Sequence, residues 1–222
     1  DATVYWIDNA DGLATAVSIL QSAELLALDT EFIRVGTFYP ALALIQIHDG
    51  RHCFLIDPLS EVDLTPLRSI FLAEHCVKAM HAASEDIEIF HMVGLPTPVP
   101  LFDTQLAELF DPSEAQGAGL QALVSHHLNI EIDKGETRSD WLQRPLSDAQ
   151  LNYAVADVIY LFALAEHRLK TMRSDAGARR RLELCFEEAR LRYPEPDRRQ
   201  GADFTAADFS DYYLNMRTTC SW

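Results

Sequence analysis

Leu25-Leu26-Ala27-Leu28-Asp29-Thr30-Glu31-Phe32 is an apolar run with two carboxylates set into it. In an extended strand, successive side chains alternate between faces, so Asp29 and Glu31 point the same way. The apolar residues around them predict a strand buried on both faces, as in the middle of a sheet. Two neighbouring carboxylates in such a place repel each other and lose hydration. That is costly unless a cation sits between them. Hard divalent ions such as Mg²⁺ and Mn²⁺ take oxygen ligands and suit the pair. The competing reading ends the strand at Asp29 and leaves Thr30 and Glu31 in solvent.

Working outward, residues 4–7 read as a short first strand, and Asp8, Asn9 and Asp11 offer a turn and a helix cap. Leu13, Ala14, Ala16, Val17 and Leu20 then recur at helical spacing. After the acidic strand comes a loop marked by Gly36 and Pro40, then a buried strand over 42–47. Asp49-Gly50 signals a hairpin, and 52–56 is the returning strand. Three strands thus form a meander with the carboxylates on its first member. Asp57-Pro58 breaks the sheet. A helix is expected over 64–72, a short strand over 76–80, and a helix opening at Ser84-Glu85-Asp86. The run 96–100 is a Pro-rich connector, and Leu101-Phe102-Asp103-Thr104 leads into a helix ending near Asp111-Pro112. Residues 119–128 read as helix and 130–140 as polar and irregular. Ser147 with Gln150 forms a capping box for a long helix to about residue 171. Another helix is expected over 177–192, a linker around Pro194, Pro196 and Gly201, and one more helix over 204–222. The expected architecture is α/β, a mixed β-sheet flanked by α-helices. No Gly-rich phosphate loop is present, so no nucleotide cofactor is expected.

The chain has 222 residues, of which 48% are hydrophobic and 23% charged, an ordinary globular balance with room for a sizeable core. No apolar run approaches a membrane span, so no membrane is expected. Cys53, Cys76, Cys185 and Cys220 are widely spaced, with no Cys-x-x-Cys. That pattern fits a reducing, cytoplasmic setting better than a disulfide scaffold or a zinc site. The formal net charge is −16, which argues at first against a nucleic-acid partner. Residues 1–167 hold 7 basic and 25 acidic residues, whereas 168–222 hold 11 and 9. An acidic body can still bind phosphates when metal ions neutralise its site.

Tyr153 and Asp157 are four apart on the long capped helix and share a face. Asp86, near a helix N-terminus, complements the helix dipole. Together with the acidic strand, these pieces fall into a known order. Leu28-Asp29-Thr30-Glu31-Phe32-x-Arg34 is followed by Thr37-Phe38-Tyr39-Pro40 and Leu44-Ile45-Gln46. Next come His81-Ala82-x-Ser84-Glu85-Asp86 and Asp103-Thr104-Gln105. Asp140-Trp141-x-x-Arg144-Pro145-Leu146 and Tyr153-Ala154-x-Ala156-Asp157-x-x-Tyr160-Leu161 close the series. Over residues 1 to about 190 the chain resembles the DEDD superfamily of 3′→5′ exonucleases, and within it ribonuclease D. The tyrosine four before the last Asp marks the DEDDy branch.

The resemblance implies a ribonuclease H-like sheet over 1–192 and a metal-dependent 3′→5′ exoribonuclease. Its ligands would be Asp29, Glu31, Asp86 and Asp157, holding two divalent ions (Mg²⁺ or Mn²⁺), and Tyr153 would orient the attacking water. It also implies RNA with a free 3′ end as partner, precursor tRNA and other small structured RNAs among them. Thr30, Phe32, Arg34, Gln46 and His81 are candidate contacts to the terminal nucleotides, with stacking on Phe32 or Tyr39 tolerant of sequence. Two alternatives stand beside it: a DEDDy DNA exonuclease, and a catalytically silent RNA-binding scaffold. The other histidines, including His126-His127, lack ligand spacing, and Arg179-Arg180-Arg181 reads as a solvated helix face. Ribonuclease D relatives carry helical HRDC domains after the nuclease. Residues 193–222 therefore read as a linker and the start of such a region.

Overall fold

The computed structural model describes residues 2–34, 40–113, 119–132 and 139–196. The chain opens with β1 (Thr3–Ile7) and α1 (Ala10–Leu20), the helix capped by Asn9, whose side chain accepts from the Gly12 amide. The meander follows as β2 (Leu25–Ile33), β3 (Ala41–His48) and β4 (His52–Ile56). At its tight turn the Asp49 carboxylate accepts from the amides of Arg51 and His52. Gly50 there has φ +92°, and a Cβ would lie 2.9 Å from the Phe162 ring, so only glycine fits. Next come α2 (Leu67–Phe71), β5 (Val77–Met80), α3 (Ser84–Met92), β6 (Leu101–Asp103) and α4 (Thr104–Phe110). The described chain ends with α5 (Leu120–Leu128), α6 (Asp148–Thr171) and α7 (Ala176–Arg192).

The strands form one mixed sheet in the order β1-β4-β3-β2-β5-β6. The meander is antiparallel, β1 joins β4 in parallel, and β5 and β6 extend β2 in parallel. Alternation along the strands divides the core into two layers. Leu28, Ile45, Ile47, Phe54 and Ile56 pack toward α1, α2 and α3 on one face. Ala27, Leu44, Cys53 and Leu55 pack toward α5 and α6 on the other. The expected α/β architecture is therefore found, and β2 runs past both acids to Ile33 rather than ending at Asp29.

Two elements differ from expectation. The helix expected over 64–72 is only Leu67–Phe71, because Pro66 stands at its N-cap and the preceding residues form a turn. Leu101–Asp103 is a three-residue edge strand rather than a simple lead into helix. A run that short shows no periodicity to read. Tyr39, the helix expected over 204–222 and most of the expected linker lie outside the described residues.

One feature of the sheet positions the site. β5 pairs only with Leu25, Leu26 and Ala27 of β2. Beyond Ala27, β2 is held on its β3 side alone. Asp29–Ile33 thus borders the crevice that opens where parallel strands diverge at their carboxyl ends, the usual place for a site in α/β folds.

Candidate active site

Asp29 and Glu31 project from the β2 face that α6 crosses, and α6 brings Asp157 down to meet them. One carboxylate oxygen from each of Asp29, Glu31 and Asp157 lies within 4.8 Å of the others. Tyr153, one turn earlier on α6, hydrogen-bonds the Asp157 carboxylate, and its ring centroid lies 6.0 Å from that of Trp141. The start of α6 is fixed by its capping box: the Ser147 amide donates to Gln150 Oε1 at 2.9 Å, and the Gln150 amide donates to Ser147 Oγ at 3.2 Å. Gln150 Nε2 also donates to the Asp140 carbonyl, tying the helix to the loop that carries Trp141.

Asp86 reaches the same region from the first turn of α3. It accepts a 2.5 Å hydrogen bond from the Thr30 hydroxyl, which lies on the opposite face of β2 from the other acids. Asp86 is therefore outside the close triad, but its charge is felt by both Asp29 and Glu31. The turn before α3 is held by Asp103. This fully buried carboxylate accepts from the amides of Ala82 and Ala83 at 3.0 Å each, from the Gln105 amide at 2.8 Å, and from the Tyr193 hydroxyl at 2.8 Å. Ala82 sits at φ +53°, a left-handed conformation that Ala adopts only when its surroundings impose it. The Asp103-Thr104-Gln105 segment thus has a physical role: it aims Asp86.

Burial and mutual repulsion raise the acids together. Burial is the largest cause for Asp29, followed by the charges of Asp86, Glu31 and Asp157, and its carboxyl lies well above the usual range. Burial and then Asp157 and Asp86 push Glu31 up to about 9. Burial pushes Asp86 to about 6 against the Thr30 hydrogen bond. Burial likewise pushes Asp157 to about 6 against the Tyr153 hydrogen bond. Without cations these groups cannot all ionise at neutral pH. Divalent ions held by their oxygens would remove both penalties, so the donor set fits hard metal ions.

Arg144 braces the site from behind. Its guanidinium donates to both oxygens of Asp57 at 2.9 and 2.7 Å, and to the carbonyls of Trp141, Gln143 and Ala43. Ala43 is the extra residue of a β-bulge, where pairing steps from Glu31↔Leu44 to Phe32↔Leu42. A bulged residue loses its ladder partner. Arg144 supplies one, next to Glu31. Arg144 belongs to the Asp140-Trp141-x-x-Arg144 motif, but its partner Asp57 is 87 positions away and no local signal marks the pair.

The remaining candidate residues are distributed as follows. Arg34 is ion-paired with Glu85 at 3.5 Å and Glu88 at 2.8 Å on α3. Phe32 is partly buried against the first core layer. His81 Nδ1 lies 2.9 Å from the Thr104 hydroxyl, and burial lowers its pKa. Thr30 is 6% exposed and engaged with Asp86. Gln46 is fully buried, directly across from Asp29 on β3, and neither its Oε1 nor its Nε2 has a hydrogen-bond partner. Thr30 and Gln46 thus present little side-chain surface to solvent, as do Asp86 and Asp157. Of the arginine run, Arg180 pairs with Glu183 and Glu187, and Arg181 with Asp111.

A 3′-5′ exonuclease family model matches residues 4–172. The chain is 46% identical over 158 residues to ribonuclease D of Pseudomonas paraeruginosa, a match spanning 71% of this chain and 42% of that protein. It is 40% identical over 171 residues to ribonuclease D of Cronobacter turicensis, spanning 77% of this chain and 46% of that one. The match thus takes in less than half the length of these curated relatives. Among solved structures, Escherichia coli RNase D, described as an exoribonuclease involved in structured RNA processing, superposes with a TM-score of 0.79 at 38% identity. That match covers 90% of this chain and 51% of that one.

Proposed function

The chain belongs to the 3′-5′ exonuclease family, on its ribonuclease D side, and from that premise we propose that it shortens RNA from the 3′ end by metal-dependent hydrolysis, releasing nucleoside 5′-monophosphates. The observation that carries this is the triad of Asp29, Glu31 and Asp157 within 4.8 Å, with a tyrosine hydroxyl on the third acid. Asp29, Glu31 and Asp157 would hold the ions directly, and Asp86, aimed by Thr30, would help on the leaving-group side. Two divalent ions, when bound, supply a water acidified enough to attack and charge to stabilise the leaving oxygen.

The chain's own groups do the rest. The Tyr153 hydroxyl orients the attacking water; a phenol with a pKa near 10 is too weak a base to do more unaided. A free 3′-hydroxyl would fit beside Glu31, where a terminal phosphate would add like charge. Phe32, Arg34 and His81 are the nucleotide contacts in this reading. We take precursor tRNA and other small structured RNAs as the substrates, and the cytoplasm as the compartment. The free, buried thiols of Cys53, Cys76 and Cys185 suit a reducing setting. Among the described residues no helix is long and apolar enough to cross a membrane.

The test is degradation of 5′-end-labelled RNA, and of a DNA strand of the same sequence, with Mg²⁺, Mn²⁺ or EDTA. A ladder that shortens from the 3′ end only with metal, faster on RNA, is expected. Faster turnover of DNA would transfer the activity to DNA. Binding of RNA with no cleavage under any metal would leave a scaffold.

A further inference from the structure

Gln46 is the anomaly of this site. It is fully buried, yet both polar atoms of its amide lack a partner among the described residues. A buried, unsatisfied amide is disfavoured, and nearly all such groups in folded proteins find a donor or acceptor. A leucine or methionine would fill the same place on β3 at no such cost. Leu44, two residues earlier on the same face, does so. The amide is therefore in place for a partner that arrives later.

Its position names that partner. Asp29 and Gln46 are directly opposed in the antiparallel β2–β3 ladder. Opposed residues share a face and bring their Cβ atoms within roughly 4.5–5.5 Å. An ion-ligating carboxylate is an acceptor only, and each oxygen has lone pairs beyond the one given to a metal. Carboxylates that ligate metals are in turn hydrogen-bonded by neighbours, which fix their orientation. Thr30 does this for Asp86. Asp29 receives a backbone contact from Thr30, and the amide of Gln46 lies beside it unspent.

We propose that Gln46 is a positioning residue for the metal centre, its Nε2 donating to the Asp29 carboxylate once the ions are bound. This rests on the metal-dependent reading of the site. It assigns Gln46 to the metal ligand rather than to RNA.

The test uses the whole chain, with Mn²⁺ alone as the probe and no RNA. In Gln46→Met the amide is replaced by an apolar side chain of similar size. Without metal its thermal midpoint should rise by roughly 2–6 °C, because an orphaned amide is gone. Its Mn²⁺ affinity, measured by calorimetry, should fall on the order of 10-fold, as for the loss of other groups that orient a ligand. A merely structural glutamine gives the opposite pattern, a lower midpoint with unchanged affinity, and would overturn the proposal. A second measurement needs no variant. On titration of wild type with diamagnetic Mg²⁺, the side-chain amide resonance of the buried glutamine should move and gain protection from exchange. No movement while the Asp29 backbone amide shifts would also overturn it. The two readings fail separately. A wild-type chain that binds neither ion removes the metal-dependent function and this inference together; normal binding by Gln46→Met removes this inference alone.

Discussion

Glu31→Gln should stabilise the metal-free chain at alkaline pH and leave it nearly unchanged in acid. Burial, with the charges of Asp157 and Asp86, moves the Glu31 carboxyl from 4.5 to about 9. The folded chain then keeps a proton that the unfolded chain gives up. For a carboxyl raised in this way, stability is intact below the unfolded value of 4.5 and is lost as pH rises toward 9. Each pH unit in that window costs about 1.4 kcal/mol, so the ceiling at pH 8 is about 5 kcal/mol. Neighbouring acids share the burden, since a proton held by one relieves the others, and the part specific to Glu31 falls to on the order of 2–3 kcal/mol. Glutamine keeps the shape and removes that part. In a chain of this size each kcal/mol moves the thermal midpoint by about 2–4 °C, so the variant should melt roughly 5–10 °C above wild type at pH 8 in EDTA. The gap should close by pH 4.5, and saturating Mn²⁺ should reverse it by stabilising wild type more. The assay is a set of melts at both pH values, with EDTA and with Mn²⁺. Equal midpoints at pH 8 in EDTA, or a gap that persists in acid, would refute the electrostatic account of the cluster.

Tyr153→Phe should lower turnover on the order of 10²-fold with Mn²⁺ affinity little changed; a variant that fails to bind metal would make the tyrosine a ligand or a support instead. RNA ending in a 3′-phosphate should resist shortening while its 3′-hydroxyl counterpart is consumed, and equal rates on the two would sink the placement of the 3′ end beside Glu31. Arg144→Lys keeps the charge but not the fork that joins Asp57 to the Ala43 carbonyl, so the thermal midpoint should fall by roughly 4–10 °C. A lysine variant with the wild-type midpoint would show that the bulge needs no such brace.

The meander and the long helix were legible because their signals are local. Continuous apolar runs, Asp49-Gly50 and the Ser147/Gln150 box each act within a few residues. The acids that the structure gathers, Asp29, Glu31 and Asp157, were legible as residue types in a known order. What sequence could not supply were the partners that make them work. Asp103 serves amides about 20 residues before it and a hydroxyl 90 residues after it, and Arg144 reaches back to β3 and to Asp57. Nothing local marks such pairs. Burial was hidden for the same reason. Thr30 and Gln46 read as polar side chains beside a site, and only the closing of the core layers over them shows how deeply they are buried. β6 was missed because a three-residue strand is defined by its neighbour β5 and not by its own sequence.

The charge map bears on how RNA is drawn to the crevice. Arg34 is the nearest basic residue in sequence to the acids of β2, and it is committed to Glu85 and Glu88. Arg144 is committed to Asp57. Arg34 and Arg144 are thus neutralised by other acids and leave burial and mutual repulsion, the causes that raise Asp29 and Glu31, unopposed by them. A polyanion approaching the metal-free acids meets like charge, and divalent ions held there would remove that repulsion. In the proposed reading, metal would act at two stages, in binding RNA and in cleaving it. Arginines left unpaired beside the acids would have lowered the carboxyl pKa values and weakened the demand for ions. Committing them elsewhere keeps the oxygens available to metal, and in the proposed reading would couple the capture of RNA to the ions that serve the hydrolysis.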